Sequence, residues 1–150
     1  MNVYLDASAL VKRYVAEPGS EDVAGLIDSA ESIVTAVISR AEVAASLARA
    51  VRTGTLSSRG ALAALKAFRG EWDSLGRLPV TEAVVARADS LSWELNLRGF
   101  DAVHLATALS WQETFGHPVV LATYDRQLWS ASQKAGLIPW PGSPRSTRPV

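Results

Sequence analysis

The chain has 150 residues, 48% of them hydrophobic, no cysteine, and a formal net charge of zero. That length fits one domain with a core large enough to stand without staples. The lack of cysteine excludes disulfides, thiolate metal sites and a thiol nucleophile. Asp6 stands where a signal peptide carries basic and then apolar residues, and no apolar run approaches the ~20 residues that span a bilayer. The expectation is a soluble cytoplasmic protein with no membrane partner. The charge is unevenly spread. Residues 43–70 carry Arg49, Arg52, Arg59, Lys66 and Arg69 without an acid, a local charge of +5. Residues 126–150 carry Arg126, Lys134, Arg145 and Arg148 without an acid, a local charge of +4, so the remainder sums to −9. Neutrality argues against a protein that coats nucleic acid non-specifically, whereas the separation allows an acidic site beside basic flanks.

In chain order, Val3–Asp6 reads as a short strand and Ser8–Val15 as a helix stopped by Pro18-Gly19. Ser20 caps a helix to about Ser29, with Glu21 and Asp22 favourable in its first turn. Ile33–Val37 is a β-branched strand. Ser39 opens a helix to about Arg52 with an apolar stripe of Val43, Leu47, Ala50 and Val51. After Thr53-Gly54-Thr55, a partner helix from Ser57 to Trp72 presents Leu62, Leu65, Phe68 and Trp72. The pair forms a protruding hairpin with Arg49 and Arg52 off its apolar side.

Leu78-Pro79-Val80 is extended, and a helix from Thr81 runs to about Arg98, with Gly99 placed to terminate it. Asp101–Thr114 is apolar enough for a helix between layers. Pro118–Thr123 is a buried strand, Asp125 to Ala135 a helix ended by Gly136, and Leu137–Trp140 an edge strand. Residues 1–140 then form one domain, and the proline-rich residues 141–150 a loose tail. Strands alternating with helices predict an α/β fold, a mostly parallel sheet covered on both faces.

Ligands bind outside the carboxyl ends of such strands. Asp6 closes the first strand, Asp125 follows a late one, and Glu42 lies in the first helical turn after the second, so all three belong at one rim. Asp101 opens a helix that spacing alone does not place. Each acid also has a plain structural explanation. Asp6, Asp101 and Asp125 suit N-caps. Ser39-Arg40-Ala41-Glu42 reads as a capping box. The joint pattern is harder to dismiss, because clustered carboxylates repel and raise each other's pKa unless a cation joins them. Oxygen donors with no Cys and little His suit Mg²⁺ or Mn²⁺ rather than zinc, and such ions suit phosphodiester cleavage. Ser8 and Thr123 are placed to orient the carboxylates. His104 shares a helix face with Asp101 and reads as a structural histidine before a general base. Trp72 and Trp111 read as core, and Trp93 and Trp140 as candidates for an interface.

VYLDASALVKRYVAEPGS, SRAEVAASLAR, RGFDAVHLATAL and LATYDRQL together make the chain resemble a PIN-domain ribonuclease, more narrowly the VapC toxins of toxin–antitoxin pairs. The resemblance covers nearly the whole length. It implies a three-layer α/β/α domain, Mg²⁺-dependent endonuclease activity on RNA, a homodimer and a cognate antitoxin. It carries the family's acidic positions onto Asp6, Glu42, Asp101 and Asp125, with Asp6 and Asp101 as metal ligands and Ser8 and Thr123 as accompanying hydroxyls. Arg49 and Arg52 are candidates for steering RNA to this site. An aspartyl-phosphate phosphatase fits less well, since Ser8 stands where a second Asp belongs, and a receiver domain lacks its late lysine. A PIN nuclease for RNA processing without an antitoxin, and a non-catalytic RNA- or protein-binding module, remain as alternative readings.

Overall fold

The computed structural model describes residues 1–144. Val3, Tyr4 and Leu5 are all fully buried, because strand β1 (Asn2–Leu5) lies at the centre of the sheet with both faces covered. It pairs in parallel with β2 (Ser32–Ala36) on one side and β4 (Val119–Ala122) on the other. The short strands β3 (Gly76–Leu78) and β5 (Ile138–Trp140) close the edges, giving the all-parallel order β3-β2-β1-β4-β5.

Helices cover both faces, as parallel crossovers require. Val3, Leu5, Val120 and Ala122 point to one layer, formed by α1 (Ala7–Leu10), α2 (Ser20–Ser29), α3 (Ser39–Arg52) and α4 (Ser58–Glu71). Tyr4, Val34, Val119 and Leu121 point to the other, formed by α5 (Glu82–Leu95), α6 (Gly99–Phe115) and α7 (Arg126–Lys134). This is the expected three-layer α/β/α arrangement. Helix α6 is buried from Ala102 through Leu109 except for the half-buried Val103, but it lies within one outer layer rather than between layers. Among the described residues, no helix is long and apolar enough to cross a membrane.

Several local expectations fail. Ser20 does not cap α2: Gly19 takes the N-cap position, and Ser20 Oγ donates to Val15 O instead. The helix expected over Ser8–Val15 is α1 followed by a single 3₁₀ turn, Val11–Arg13. Gly99 does not terminate α5. Asn96 takes the left-handed conformation at φ 53° and ends it, so Gly99 is free to open α6. In α4 the buried face is Ala61, Ala64 and Phe68, with Trp72 just beyond, while Leu62 is 63% exposed. Phe68 and Trp72 hold the expected face and Leu65 packs half-buried against the core, so Leu62 alone of the expected stripe turns to solvent, with Ala61 and Ala64 filling the buried side. Trp72 is buried, Trp111 is half-buried against Phe115, and Trp93 is 91% exposed. At the start of the expected tail, Pro141 is buried and its carbonyl accepts a 2.6 Å bond from Trp129 Nε1. Residues 145–150 of that tail lie outside the described residues.

Candidate active site

β1 delivers Asp6 to the carboxyl rim of the sheet, where it is 4% exposed and caps α1 by accepting from Ala9 N–H at 2.9 Å. Two hydroxyls finish its enclosure. Ser8 Oγ donates to Asp6 Oδ1 at 2.7 Å, and Thr123 Oγ1 donates to Oδ2 at 2.6 Å. Each hydroxyl also accepts a backbone N–H from the segment after β4: Tyr124 N–H bonds Ser8 at 2.9 Å, and Asp125 N–H bonds Thr123 at 3.0 Å. Ser8 and Thr123 thus tie Asp6 to the turn that carries Asp125. Burial holds the Asp6 carboxyl above its usual range, and the nearby His104 and the three donors only partly offset this.

Glu42 lies one turn into α3, but the capping box does not form. Ser39 Oγ faces Thr35 Oγ1 at 2.7 Å, and since the Thr35 proton goes to Leu5 O, Ser39 is the donor. Glu42 instead receives a 2.6 Å bond from His104 Nε2–H. A carboxylate only accepts, which assigns that proton; in the neutral ring Nδ1 then accepts from Tyr4 O–H at 2.7 Å. Burial would lower the His104 pKa, but the Glu42 bond and the charges of Asp6 and Glu42 outweigh it, and the net direction is up. His104 is therefore carboxylate-bonded and 1% exposed, as a structural histidine is.

Asp101 is the third residue of α6, so it is no N-cap; that position falls to Arg98, whose side chain makes no cap bond. Asp125 does cap α7, accepting from Leu128 N–H at 2.9 Å. Arg98 bridges the two acids: Nε donates to Asp101 at 3.1 Å and Nη2 to Asp125 at 2.5 Å. Burial and then the Asp125 charge raise the Asp101 pKa against the pull of Arg98.

Asp6, Ser8, Glu42, Asp101 and Asp125 line one open cleft of about 780 Å³, together with Arg49, Arg52, Arg98, Phe100 and His104. All four predicted acids and both predicted arginines share this cleft, and Thr123 touches it through Asp6. Sequence reasoning missed Arg98, Phe100 and Tyr4. Only Arg98 left a signal, a base three residues before an acid on one helix start.

The donor set suits a hard divalent cation: carboxylate oxygens, no sulfur, and a histidine already committed. Asp6 Oδ1 accepts two bonds and Oδ2 one, so one acceptor position of Oδ2 is left. Among the described residues, however, no three Asp, Glu or His side chains converge into a ready metal cage. The site fits a cation in charge and donor type without being preassembled, and the guanidinium of Arg98 stands as a cation on two of the acids.

The sequence model of the PIN domain matches residues 3–132. Ribonuclease VapC49 of Mycobacterium tuberculosis is 35% identical over 135 residues, covering 89% of this chain and 91% of the relative. PAE2754 from Pyrobaculum aerophilum superimposes with a TM-score of 0.63 at 22% identity, over 93% of this chain and 83% of the other. A toxin-antitoxin complex from Klebsiella pneumoniae gives a TM-score of 0.59 at 16% identity, over 83% of this chain and 87% of that one.

Proposed function

This chain belongs to the PIN-domain family, and from that premise we propose that it is a metal-dependent endoribonuclease acting as the toxin of a toxin–antitoxin pair. The observation that carries the reading is the convergence of Asp6, Glu42, Asp101 and Asp125, from four distant stretches of sequence, on one cleft that also holds Arg49 and Arg52. Four carboxylates around one cleft, with Asp6 buried and the other three half-buried, are an unfavourable arrangement for a fold to keep unless they serve a cation.

Asp6 and Asp101 would hold Mg²⁺, with Mn²⁺ as a substitute, and Glu42 and Asp125 complete the acidic set. Bound there, the ion would polarise the scissile phosphodiester and lower the pKa of an attacking water. The remaining work belongs to the chain. Ser8 and Thr123 fix both oxygens of Asp6, so its orientation is set before any ligand arrives. His104, backed by Tyr4, fixes Glu42. Arg49 and Arg52 draw the RNA backbone toward a site whose own charge repels phosphate. The protein acts in the cytoplasm, as a homodimer to which the exposed Trp93 offers apolar surface. A basic side chain of the antitoxin would silence the acidic cleft.

EDTA should abolish cleavage of single-stranded RNA, Mg²⁺ or Mn²⁺ should restore it, and Ca²⁺ should do so poorly, because Ca²⁺ prefers more ligands at longer distances. Undiminished cleavage in EDTA by protein free of contaminating nuclease rules the reading out. Co-expression with the neighbouring gene should relieve any growth defect on induction. A metal-dependent nuclease with no defect and no copurifying partner would favour the RNA-processing reading.

A further inference from the structure

Arg98 is placed oddly for a structural residue. It sits at the N-cap of α6, yet its side chain caps nothing and is 73% exposed. Its guanidinium spans two different carboxylates, Nε on Asp101 and Nη2 on Asp125, rather than clasping either one bidentately. Exposed ion pairs of this kind are weak and exchange readily. Their acid partners are much better enclosed, with side chains 16% and 22% exposed. A mobile cation is thus resting on acids that are fixed in place: Asp125 by capping α7, and Asp101 by its position in the first turn of the enclosed α6.

We propose that Arg98 is a substrate-phosphate ligand that rests on Asp101 and Asp125 and is released from them when a divalent cation binds Asp101. This deepens the ribonuclease reading and rests on it. A guanidinium and a metal ion compete for the same carboxylate charge, and once a dication is bound the two cations repel. The released fork has five donors in a plane that matches two oxygens of one phosphate. It need not travel to find one, because it lines the cleft with Arg49 and Arg52. Two residues on, Phe100 is 65% exposed in the same cleft and offers a flat apolar face to an unpaired base. Metal entry and RNA binding are coupled by this exchange: the ion frees the arginine that then helps hold the strand, and RNA in turn keeps the arginine off the acids.

The exchange makes opposite predictions for metal and for RNA, which a merely structural arginine does not. In Arg98→Gln, Mn²⁺ followed by electron paramagnetic resonance should bind about three- to tenfold tighter, since its competitor is gone. The same variant should raise KM for a single-stranded RNA about tenfold, the order of one charge-assisted contact, with kcat within about threefold of wild type. Arg98→Lys, which keeps the charge but not the fork, should fall between on both measures. Equal Mn²⁺ affinity in wild type and Arg98→Gln, weaker Mn²⁺ binding in the variant, or an unchanged KM overturns the proposal while leaving the nuclease reading intact. Failure of wild type and variant alike to bind Mn²⁺ overturns both.

Discussion

The two halves of the cleft are held in opposite ways. Asp6 is buried, and each of its oxygens receives a donor from a side chain that is itself bonded to backbone. Glu42 is likewise fixed through His104, which Tyr4 backs from the core. Across the cleft, Asp101 and Asp125 answer to one solvent-exposed arginine. The difference follows from where the elements lie. Asp6 ends the central strand, so protein surrounds it, whereas Asp101 and Asp125 begin helices at the outer layer, where only a surface side chain reaches both. Both halves hold their acids in place before any ligand arrives, but one satisfies them with buried hydrogen bonds and the other with an exposed, exchangeable arginine.

The sharpest way to break this comparison is to remove charge without removing shape. Asn caps a helix about as well as Asp, so Asp6→Asn retains its bond from Ala9 N–H. We expect it to abolish cleavage while staying folded. At a hundredfold excess over Kd, Mn²⁺ should stabilise wild type by about 2.7 kcal/mol and this variant by far less. The pH dependence has a defined sign. Burial raises the Asp6 pKa, so between the ordinary carboxylate value and the raised one the native state holds a proton that the unfolded chain has released. Metal-free wild type should therefore lose stability relative to Asp6→Asn as pH rises through that window. Asp101→Asn should also be inactive and folded, since Asp101 caps nothing and its loss leaves Arg98 with Asp125. Full activity and a full Mn²⁺ shift in both variants would end the metal-site reading.

A smaller effect tests the hydroxyl that ties Asp6 to the turn carrying Asp125. Thr123→Val keeps the shape but removes the donor to Asp6 Oδ2 and the acceptor for Asp125 N–H. Losing such a supporting bond lowers metal affinity or activity about 10–100-fold. Mn²⁺ affinity within twofold of wild type would mean that Asp6 is positioned by its other two donors.

The buried half was also the more legible in sequence. Val3–Leu5 and Val119–Ala122 are apolar on every position because both sheet faces are covered, so the strands and the acids following them could be placed by pattern. The α5–α6 junction was not. Asn96 takes the left-handed turn expected of Gly99, and this moves Asp101 from a cap into the helix, where it faces Arg98. The capping box at Ser39 looked sound locally, but Thr35 and His104 offer its two side chains tertiary partners from other elements. Arg98 reaching Asp125, 27 residues away, is likewise a product of the fold that no local spacing encodes.

The smallest expected effect concerns the approach of substrate rather than the acids. Arg49 and Arg52 lie in the last turn of α3 and line the cleft, and among the described residues neither has an ion-pair partner within 4 Å. Free guanidinium groups beside an acidic site can bind phosphate without first giving up a carboxylate, which sets them apart from Arg98. Arg49→Ala with Arg52→Ala should therefore weaken RNA binding modestly at low salt and leave Mn²⁺ affinity unchanged. Each lost phosphate contact should reduce the slope of log affinity against log salt by about 0.7 for a single strand. A slope unchanged in the double variant would assign both arginines to solvent or to a protein interface, leaving Arg98 as the cleft's phosphate ligand.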